Sequence, residues 1–248
     1  ITGFGRRIVQ PALTKYVLRN LQNIVLANKY GKSQIENLTN AKINFVDNPL
    51  SDNFFNKVVV GEENRIFFAG GIQELKNPFG LIKTVQIIKR RIPNVTLFLA
   101  GQIADDIYHS KMEEYIISNN LEENVKFLGP LSDLELLSEY SKCSIFCLPS
   151  FQDVAPVVLS EAMAHGKPIV ASNVGGIPHM VGDGKTGFIL EPNDSEGFAK
   201  AIEKLFLNNE LRIRMGKEAR KIAEIRWRRQ VIAKNMFNLY KNILRNNE

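Results

Sequence analysis

The sequence predicts an α/β fold in which a Rossmann-like parallel sheet carries helices on both faces. Two observations lead to this prediction: short apolar runs alternate with helical patterns, and those runs are continuously apolar rather than alternately apolar and polar. Strands of a parallel sheet are buried on both faces and therefore need such continuous runs. The run at 144–148 is an example, and Pro149 ends it.

Strand and helix patterns alternate strictly from residue 65 onward. The predicted strands are 65–70, 95–100, 125–128, 144–148, 168–172 and 187–191. The predicted helices are about 76–91, 106–119, 132–141, 156–165, 195–207 and 210–246. Residues 1–60 form a separate, shorter alternation. It consists of a basic helix at about 8–21, a strand at 24–27, a helix at about 30–38 and a strand at 43–46.

Two acidic residues flank the junction between the 144–148 strand and the helix after it. Pro156 suits the first turn of a helix and Gly166 suits the position just past its end, so Asp153 precedes the helix and Glu161 lies along it. Open α/β sheets bind ligands at such junctions, where helix N-termini attract anions. The two carboxylates could bind a ligand with an anionic middle and hydroxyl groups at both ends. Alternatively, Asp153 caps the helix and Glu161 points into water.

A glycine-rich turn follows the 168–172 strand. Gly175 and Gly176 are adjacent, and Gly182 and Gly184 follow. Paired glycines allow backbone amides to approach a ligand closely, because no Cβ stands in the way. We therefore expect this turn, at a strand's carboxyl end, to contribute to ligand binding.

The run from the acid pair through this turn resembles the donor-binding domain of the retaining GT-B glycosyltransferases of family 4. The family pattern is Pro-Ser, an acid, seven residues, Glu-Ala-Met-Ala, a Gly, a Pro-Val-Val-Ala strand, Gly-Gly-x-Pro-Glu and a Gly-x-x-Gly turn. The matching residues here are Pro149-Ser150, Asp153, Glu161 to Ala164, Gly166, Pro168 to Ala171 and Gly175 to Pro178. Residues 65–78 also resemble the family's strand, glycine and lysine element, so the resemblance covers most of the chain.

The resemblance implies a role for each of these residues. Glu161 would bind the ribose hydroxyls, Asp153 would bind hydroxyls of the transferred sugar, and Lys76 would stabilise the departing diphosphate as its negative charge develops. These three are the expected catalytic residues. The backbone amides expected to help Lys76 belong to Ala155, Val157 and Val158. The other expected donor-binding residues are Gly70, Gly71, Val154 and Pro156, together with Leu128 and Gly129 as backbone neighbours of the base.

Three positions depart from the family pattern. Gly71 stands where the family usually has an arginine, so a bidentate phosphate ligand is absent. Asp153 replaces the usual glutamate and shortens the reach by one methylene. His179 replaces a common acid, and we expect it to be exposed rather than in contact with sugar or phosphate. The alternative for Lys76 is a solvated lysine at a helix start, where the dipole disfavours a cation.

By the same resemblance, the chain has four parts. Residues 1–46 would be the end of an N-terminal acceptor domain, 47–60 an interdomain linker, 61–225 the donor-binding domain, and 226–248 a C-terminal helix that returns toward the N-terminal domain. The chain begins at Ile1. We expect it to be the C-terminal part of a longer protein, and to transfer sugar weakly or not at all when alone.

The expected activity is that of a hexosyltransferase-type enzyme. It would move a sugar from a nucleotide sugar, UDP- or GDP-linked, to a cell-surface glycan, lipid-linked sugar or polysaccharide, with retention and without a metal or other cofactor. A non-catalytic nucleotide-sugar-binding module is the alternative, because the acceptor domain is partial and Gly71 replaces arginine. The Glu-Ala-Met-Ala run at 161–164 argues against an epimerase. A phosphorylase would need a pyridoxal-binding lysine context, which the sequence does not offer.

Basic residues are concentrated at both ends of the chain. Residues 1–60 carry 8 basic and 3 acidic groups, residues 61–211 carry 13 and 20, and residues 212–248 carry 11 and 3. The basic ends predict attachment to an anionic membrane surface, and the alternative is a solvated basic helix. Nucleic acid is not an expected partner, since neither aromatic interleaving nor a binding motif accompanies these charges.

The cysteines and histidines complete the sequence predictions. Cys143 and Cys147 are expected to be reduced core thiols of a cytoplasmic protein rather than metal ligands. No apolar run approaches about 18 residues, so we expect a cytoplasmic protein that is peripheral on the inner face of the membrane. His109 is expected at the surface, and His165 at a helix end where a cation is tolerated.

Overall fold

The structure, a computed structural model, describes residues 13–55 and 61–245. Its first part, the N-terminal unit, consists of helix α1 (13–19), strand β1 (Asn23–Leu26), helix α2 (Tyr30–Ile35) and strand β2 (Lys42–Phe45). The two strands pair in parallel. They are partly exposed, and α2 has no buried residue. The start of the predicted 8–21 helix lies outside the described residues.

The second part is built on a six-stranded parallel sheet. Its strands are β3 (Arg65–Ala69), β4 (Thr96–Ala100), β5 (Val125–Gly129), β6 (Ile145–Leu148), β7 (Ile169–Ser172) and β8 (Gly187–Leu190). Every residue of β3, β6 and β7 is buried, as the continuous apolar runs predict. The strand order is β5-β4-β3-β6-β7-β8. The order changes direction between β3 and β6, which is the topological switch point of a doubly wound sheet.

Helices cover both faces of this sheet. They are α3 (Pro78–Lys89), α4 (Asp106–Ser118), α5 (Asp133–Lys142), α6 (Val157–Ala164), α7 (Ser195–Leu207), α8 (Asn209–Arg226) and α9 (Arg229–Arg245). Helix α3 packs against α4 and α7, whereas α6 packs against α8. Right-handed crossovers on the two sides of the switch point place these groups on opposite faces. The predicted fold class is confirmed, and the predicted strands match within one residue at each end.

The segment after β2 joins the two parts. The Leu50 N–H donates to the Trp227 carbonyl at 2.8 Å, and the Arg226 guanidinium donates to both carboxylate oxygens of Asp47, at 2.8 and 3.2 Å. These contacts fix the N-terminal unit against the end of α8. The predicted domain boundaries stay predictions, and linker residues 56–60 lie outside the described residues.

The predicted single helix at 210–246 is wrong, because the chain forms α8 and α9 with a break at Trp227 and Arg228. Trp227 is only 2% exposed, and Arg228 forms a parallel bridge with Leu50. Packing of this pair against the linker segment interrupts the helix without any proline or glycine. Residue 246 lies outside the described part.

Two further features concern membranes and metals. Within residues 13–55 and 61–245, no helix is both long and apolar enough to cross a bilayer. The same residues contain no group of three or more His, Cys, Asp or Glu side chains that could hold a metal ion.

Candidate functional site

The predicted site residues meet at the carboxyl edge of the six-stranded sheet, the edge where its strands end. Lys76 belongs to a short 3-10 helix after β3 (Glu74–Lys76), and Asp153 belongs to the donor loop, residues 149–156 after β6. The Lys76 Nζ lies 2.6 Å from Asp153 Oδ2. The Lys76 and Asp153 side chains are 23% and 11% exposed, so the pair is largely enclosed but still accessible to a ligand. The switch point therefore unites two residues that the sequence separates by 77 positions.

Lys76 is not a solvated lysine on α3, because that helix begins two residues later. Asn77 has a left-handed backbone, φ 53°, and its side chain caps α3 by accepting from the Gly80 N–H at 3.0 Å. The same side chain donates to the carbonyls of Pro149 and Pro192. Asn77 thus turns the chain so that Lys76 faces the donor loop.

Hydrogen bonds hold the donor loop against its neighbours. The Phe151 N–H donates to the Leu75 carbonyl at 2.9 Å, and the Ser172 hydroxyl donates to the Ser150 carbonyl at 2.5 Å. The Ser150 hydroxyl also points to Asp153 Oδ2, at 3.4 Å. The backbone around Asp153 is therefore fixed from both sides.

Asp153 does not cap α6, contrary to the alternative drawn from the sequence. Pro156 occupies the cap position, and no side chain among the described residues accepts from the first turn. The first N–H groups of a helix have no partner within it. The amides of Val157 and Val158 therefore face the site together with the positive end of the helix dipole.

The glycine pair after β7 supports the donor loop. Gly175 has a left-handed φ of 54°, and a Cβ on either Gly175 or Gly176 would overlap the carbonyls of Asp153 and Val154. The Gly176 N–H donates to the Asp153 carbonyl at 2.9 Å. The Gly176 amide thus holds the donor loop, and the expected contribution of this turn to ligand binding stays a prediction.

Glu161 lies on α6 and is half-buried, not directed into water. The Tyr140 hydroxyl of α5 donates to Glu161 Oε2 at 2.8 Å. Burial raises the pKa of Glu161 above its ordinary value, although the Tyr140 hydrogen bond acts in the opposite direction and nearby Asp133 adds to the rise. The pKa of Tyr140 lies well above its ordinary value, chiefly because of burial and then because of the Glu161 charge. Tyr140 therefore stays a hydrogen-bond donor that orients this carboxylate.

The other predicted donor-binding residues lie at the same edge. Gly70 and Gly71 follow β3 directly, and Leu128 and Gly129 end β5. Gly129 has a left-handed φ of 69°, and its carbonyl accepts from the Gly101 N–H at 2.8 Å. A Cβ on Gly70 would lie 4.0 Å from Lys76 Cγ, so Gly70 lies against the Lys76 side chain.

A cleft of about 310 Å³ opens between the N-terminal unit and the second part of the chain. The polar residues that line it are Asn28, Lys29, Asp47, His179, Arg226 and Asn235. His179 is exposed, as predicted, and its carbonyl accepts from Arg226 Nη1 at 2.8 Å. The cleft adjoins the turn that packs on the donor loop.

His165 ends α6, as predicted. It does not offer a cation there, because it is only 4% exposed and stacks on Tyr140 with ring centroids 5.3 Å apart. Burial lowers the pKa of His165 to about 4, so it is neutral at physiological pH. His109 packs edge-on against Phe127 at 4.7 Å and is partly buried.

The two cysteines are confirmed as core residues. Cys143 and Cys147 are both fully buried and unpaired. Burial raises the pKa of Cys143 to about 12 and that of Cys147 well above its ordinary value, so both are thiols at neutral pH. They pack against the sheet and take no part in the site.

Sequence reasoning missed two residues of the site, Tyr140 and Asn28. Tyr140 carries no local signal, because an aromatic residue near the end of an amphipathic helix is ordinary core. Asn28 directly follows a predicted strand, and a polar residue at a strand's carboxyl end could have marked it. Its side-chain amide donates to the Val154 carbonyl in the donor loop.

Curated relatives resemble much of this chain. It is 33% identical over 161 residues to a D-inositol 3-phosphate glycosyltransferase of Corynebacterium glutamicum, covering 62% of this chain and 38% of the relative. It is 30% identical over 211 residues to an uncharacterized glycosyltransferase of Methanocaldococcus jannaschii, covering 85% of this chain and 57% of the relative. The chain thus spans between about 38% and 57% of the length of these two proteins.

Solved structures share the fold. An Anabaena protein, HepE, in complex with UDP-glucose superposes with a TM-score of 0.81 at 20% identity, covering 93% of this chain and 67% of that one. Sucrose-phosphate synthase from Thermosynechococcus elongatus superposes with a TM-score of 0.79 at 21% identity, covering 99% of this chain and 65% of that one. Residues 51–222 match the family described as glycosyl transferases group 1. With the doubly wound sheet in place, this match leads to one conclusion: the chain belongs to the glycosyl transferases group 1 family.

Proposed function

We propose that this chain is the donor-binding part of a glycosyltransferase that moves a hexosyl group from a nucleotide sugar to a glycan or lipid-linked acceptor, with retention of configuration. The observation that carries the proposal is the meeting of Lys76 and Asp153 at the switch point, 2.6 Å apart. A cation beside a helix N-terminus suits a diphosphate, and a carboxylate beside it suits sugar hydroxyls. The Anabaena neighbour, which shares the fold, was solved in complex with UDP and with UDP-glucose.

The diphosphate would lie between Lys76 and the start of α6. In the transfer step, the bond between the anomeric carbon and the diphosphate oxygen breaks, and its electron pair leaves on the diphosphate. A bond forms between the anomeric carbon and the acceptor's hydroxyl oxygen, and the hydroxyl proton passes to the released diphosphate. The Lys76 ammonium and the amides of Ala155, Val157 and Val158 are placed to stabilise that charge. These groups are preorganised by the hydrogen bonds of the donor loop, so no metal ion is required in the proposal.

The nucleoside would extend from the diphosphate along α6. Glu161, held by Tyr140, would accept hydrogen bonds from the ribose hydroxyls, and the backbone of Leu128 and Gly129 would border the base. When a ligand binds, the Lys76 and Asp153 groups exchange their mutual contact for contacts with phosphate and sugar. In this exchange the Lys76 ammonium stays paired with a negative charge and the Asp153 carboxylate stays hydrogen-bonded, which limits the cost of separating the two groups.

The acceptor would enter through the cleft of about 310 Å³ beside His179. Among the described residues, the N-terminal unit contributes to this cleft only the carboxyl edge of its two-stranded β1–β2 sheet. Positioning of two reactants supplies roughly 7 to 11 kcal/mol of barrier reduction. We therefore expect the 248-residue chain to bind a sugar nucleotide but to transfer its sugar very slowly. Rapid transfer by this chain alone, measured as release of nucleoside diphosphate with a simple acceptor, would contradict this expectation.

A thermal-shift screen against UDP, GDP, ADP and CMP and their sugar derivatives tests the proposal. We expect UDP or GDP to raise the melting temperature, since a ligand that binds only the folded state stabilises it by mass action. Titration calorimetry then measures Kd for the best ligand. If none of the nucleoside diphosphates binds at millimolar concentration, the proposal is overturned. Binding without transfer, even in a chain extended to the length of its relatives, would instead favour a non-catalytic binding module.

We also propose that the protein is cytoplasmic and attaches peripherally to an anionic membrane through α9. Helix α9 contains four basic residues and no acidic one, and its apolar residues Phe237, Tyr240 and Leu244 are exposed on one stripe. Interfacial helices combine an apolar stripe with basic flanks in this way. Sedimentation with vesicles of anionic lipid, compared with neutral vesicles, is the test. Equal binding to both vesicle types, or to neither, would refute the attachment.

A further inference from the structure

Asn28 connects the N-terminal unit directly to the donor loop. It follows β1, is only 7% exposed, and donates from Nδ2 to the Val154 carbonyl, 126 positions away in the sequence. Its Oδ1 accepts from the Gly31 N–H at 3.2 Å, which fixes the orientation of the amide. Both ends of this buried side chain are therefore hydrogen-bonded.

The other backbone ties of the donor loop come from within the second part of the chain. The groups concerned are the Ser150 carbonyl, the Phe151 N–H and the Asp153 carbonyl, which bond to Ser172, Leu75 and Gly176 respectively. Among the described residues, Asn28 is the only residue of the N-terminal unit that hydrogen-bonds to this loop. The carbonyl that Asn28 bonds belongs to Val154, which lies between Asp153 and Ala155.

The fit around this contact leaves little freedom. A Cβ on Gly176 would lie 2.6 Å from Asn28 Nδ2 and would overlap the Val154 carbonyl. The crevice lined by Asn28, Ala155 and Val157 measures only about 10 Å³, which is too small for more than about one water molecule. The Val154 carbonyl therefore accepts from Asn28 beside a crevice with room for at most about one water molecule, while Asn28 also lines the larger cleft of about 310 Å³.

We infer that Asn28 is a positioning residue, which holds the peptide between Val154 and Ala155 so that the amides of Ala155 and Val157 face the diphosphate. Through this contact, the placement of the N-terminal unit sets the affinity of the donor loop for phosphate. The inference rests on the proposed function, because it assumes that a nucleoside diphosphate binds here. It assigns Asn28 no direct contact with the ligand.

The test compares Asn28→Leu and Asn28→Ala with the parent chain. Both variants remove the hydrogen-bond donor without adding a charge that could itself repel phosphate. Asn44→Leu is the matched control, because Asn44 lies in the same unit and bonds within it, to Asn23 at 3.3 Å. UDP, GDP and uridine are titrated by calorimetry, and the melting temperature of each protein is measured.

We expect the Asn28 variants to bind the diphosphate about tenfold more weakly, which corresponds to about 1.4 kcal/mol. Uridine affinity should stay within roughly twofold, because the tether acts on the phosphate-facing amides and not on the nucleoside. Asn44→Leu should bind both ligands like the parent. A merely structural role would weaken uridine and UDP in parallel, and that result would overturn the inference, as would unchanged UDP binding in either Asn28 variant.

One further measurement applies if neither variant folds. In the parent chain, the side-chain amide resonances of Asn28 should shift on addition of UDP but not of uridine, and the absence of any shift would overturn the inference. A parent chain that binds neither UDP nor GDP would instead overturn the proposed function. The two failures are therefore distinguishable.

Discussion

The two edges of the six-stranded sheet both carry basic residues, but those residues differ in number and in the groups that they contact. At the carboxyl edge, Lys76 is the one predicted phosphate ligand. At the amino edge, where the strands begin, Lys167, Arg212, Lys217 and Arg220 line a cavity of about 460 Å³. The amino edge thus has the larger cavity and the greater positive charge.

The hydrogen-bond partners of these cations explain the difference. Lys167 Nζ donates to the Ser141 carbonyl at 2.9 Å, and Arg220 Nη2 donates to the Phe55 carbonyl at 2.6 Å. Arg212 donates to Asn209 Oδ1 at 2.9 Å, beside the end of α7. Such residues stabilise carbonyl groups that would otherwise be unpaired. Lys167, Arg212 and Arg220 therefore support the fold, while Lys76 pairs with the Asp153 carboxylate, which a bound ligand could replace.

Under the proposed function, strand direction rather than cavity size or charge assigns the site, because loops at the carboxyl ends of parallel strands converge at the switch point with the N-terminus of α6. Burial lowers the pKa of both Lys167 and Arg212. Both groups also keep hydrogen bonds to the protein, to the Ser141 carbonyl and to Asn209, which a phosphate would have to displace.

The largest expected effect is a loss of UDP affinity when Glu161, at the carboxyl edge, is replaced. Replacing the carboxylate by an amide, in Glu161→Gln, removes a charged acceptor of the ribose hydroxyls and should cost about 1.5 to 3 kcal/mol of binding free energy. This corresponds to roughly tenfold to 150-fold in Kd. Titration calorimetry with UDP measures it. Glu203→Gln is the control, because Glu203 is a buried carboxylate that pairs with Arg91 away from the site. Equal losses in both variants would contradict the assignment.

Lys76→Ala should weaken UDP by about tenfold, the value of one charge-assisted hydrogen bond near 1.5 kcal/mol. Uridine should bind as before, since the proposed ligand contact of Lys76 is with phosphate and not with the nucleoside. Lys217→Ala, at the amino edge, is the matched control and should leave UDP affinity unchanged. The comparison of the edges fails if Lys217→Ala weakens UDP as much as Lys76→Ala does.

Gly71→Arg should have the opposite effect on the carboxyl edge and raise its affinity for UDP severalfold. An added guanidinium after β3 would offer phosphate a bidentate partner. A Cβ at this position would approach only Gln73 Nε2, at 3.3 Å, and that atom is the far end of a flexible side chain. The substitution is therefore expected to fold normally. Calorimetry that finds weaker UDP binding with an unchanged melting temperature would show that the loop is not built to receive an arginine.

The smallest expected effect is on stability. Because burial raises the pKa of Glu161 above 4.5, the folded state binds more protons than the unfolded state between that value and the raised one. Stability therefore falls as the pH rises through this window. Glu161→Gln keeps an acceptor for Tyr140 and removes the cost of burying an ionised carboxylate. The variant should therefore be at least as stable as the parent at neutral pH, and this gain in stability should disappear below pH 4.5. Urea unfolding at several pH values checks this, and a variant that is less stable throughout would contradict it.

The sequence predicted the strands and most helices well because local periodicity determines them. The family resemblance assigned Lys76, Asp153 and Glu161 to one site, and the structure places Lys76 and Asp153 together because β3 and β6 are parallel neighbours in the sheet. The same local reasoning could not foresee that Lys76 and Asp153 pair with one another. That contact depends on how two loops pack, which no short pattern encodes.

The remaining errors have the same origin. Asn28 reaches the Val154 carbonyl across 126 positions, and the break at Trp227 arises from packing under the linker segment rather than from a helix-breaking residue. The neutral, buried state of His165 follows from stacking on Tyr140, a partner on another helix. Tertiary packing decided each of these features.

The most direct test of the account is to map UDP binding on the backbone amide resonances of the isotopically labelled chain. We predict that the shifted amides cluster at the carboxyl edge, with the largest changes at Gly71, Lys76, Ala155, Val157 and Val158. The amides around the amino-edge cavity, at Lys167, Arg212 and Lys217, should stay unchanged. Shifts concentrated at those three residues, with the donor loop unmoved, would contradict the central claim that the carboxyl edge binds the nucleotide.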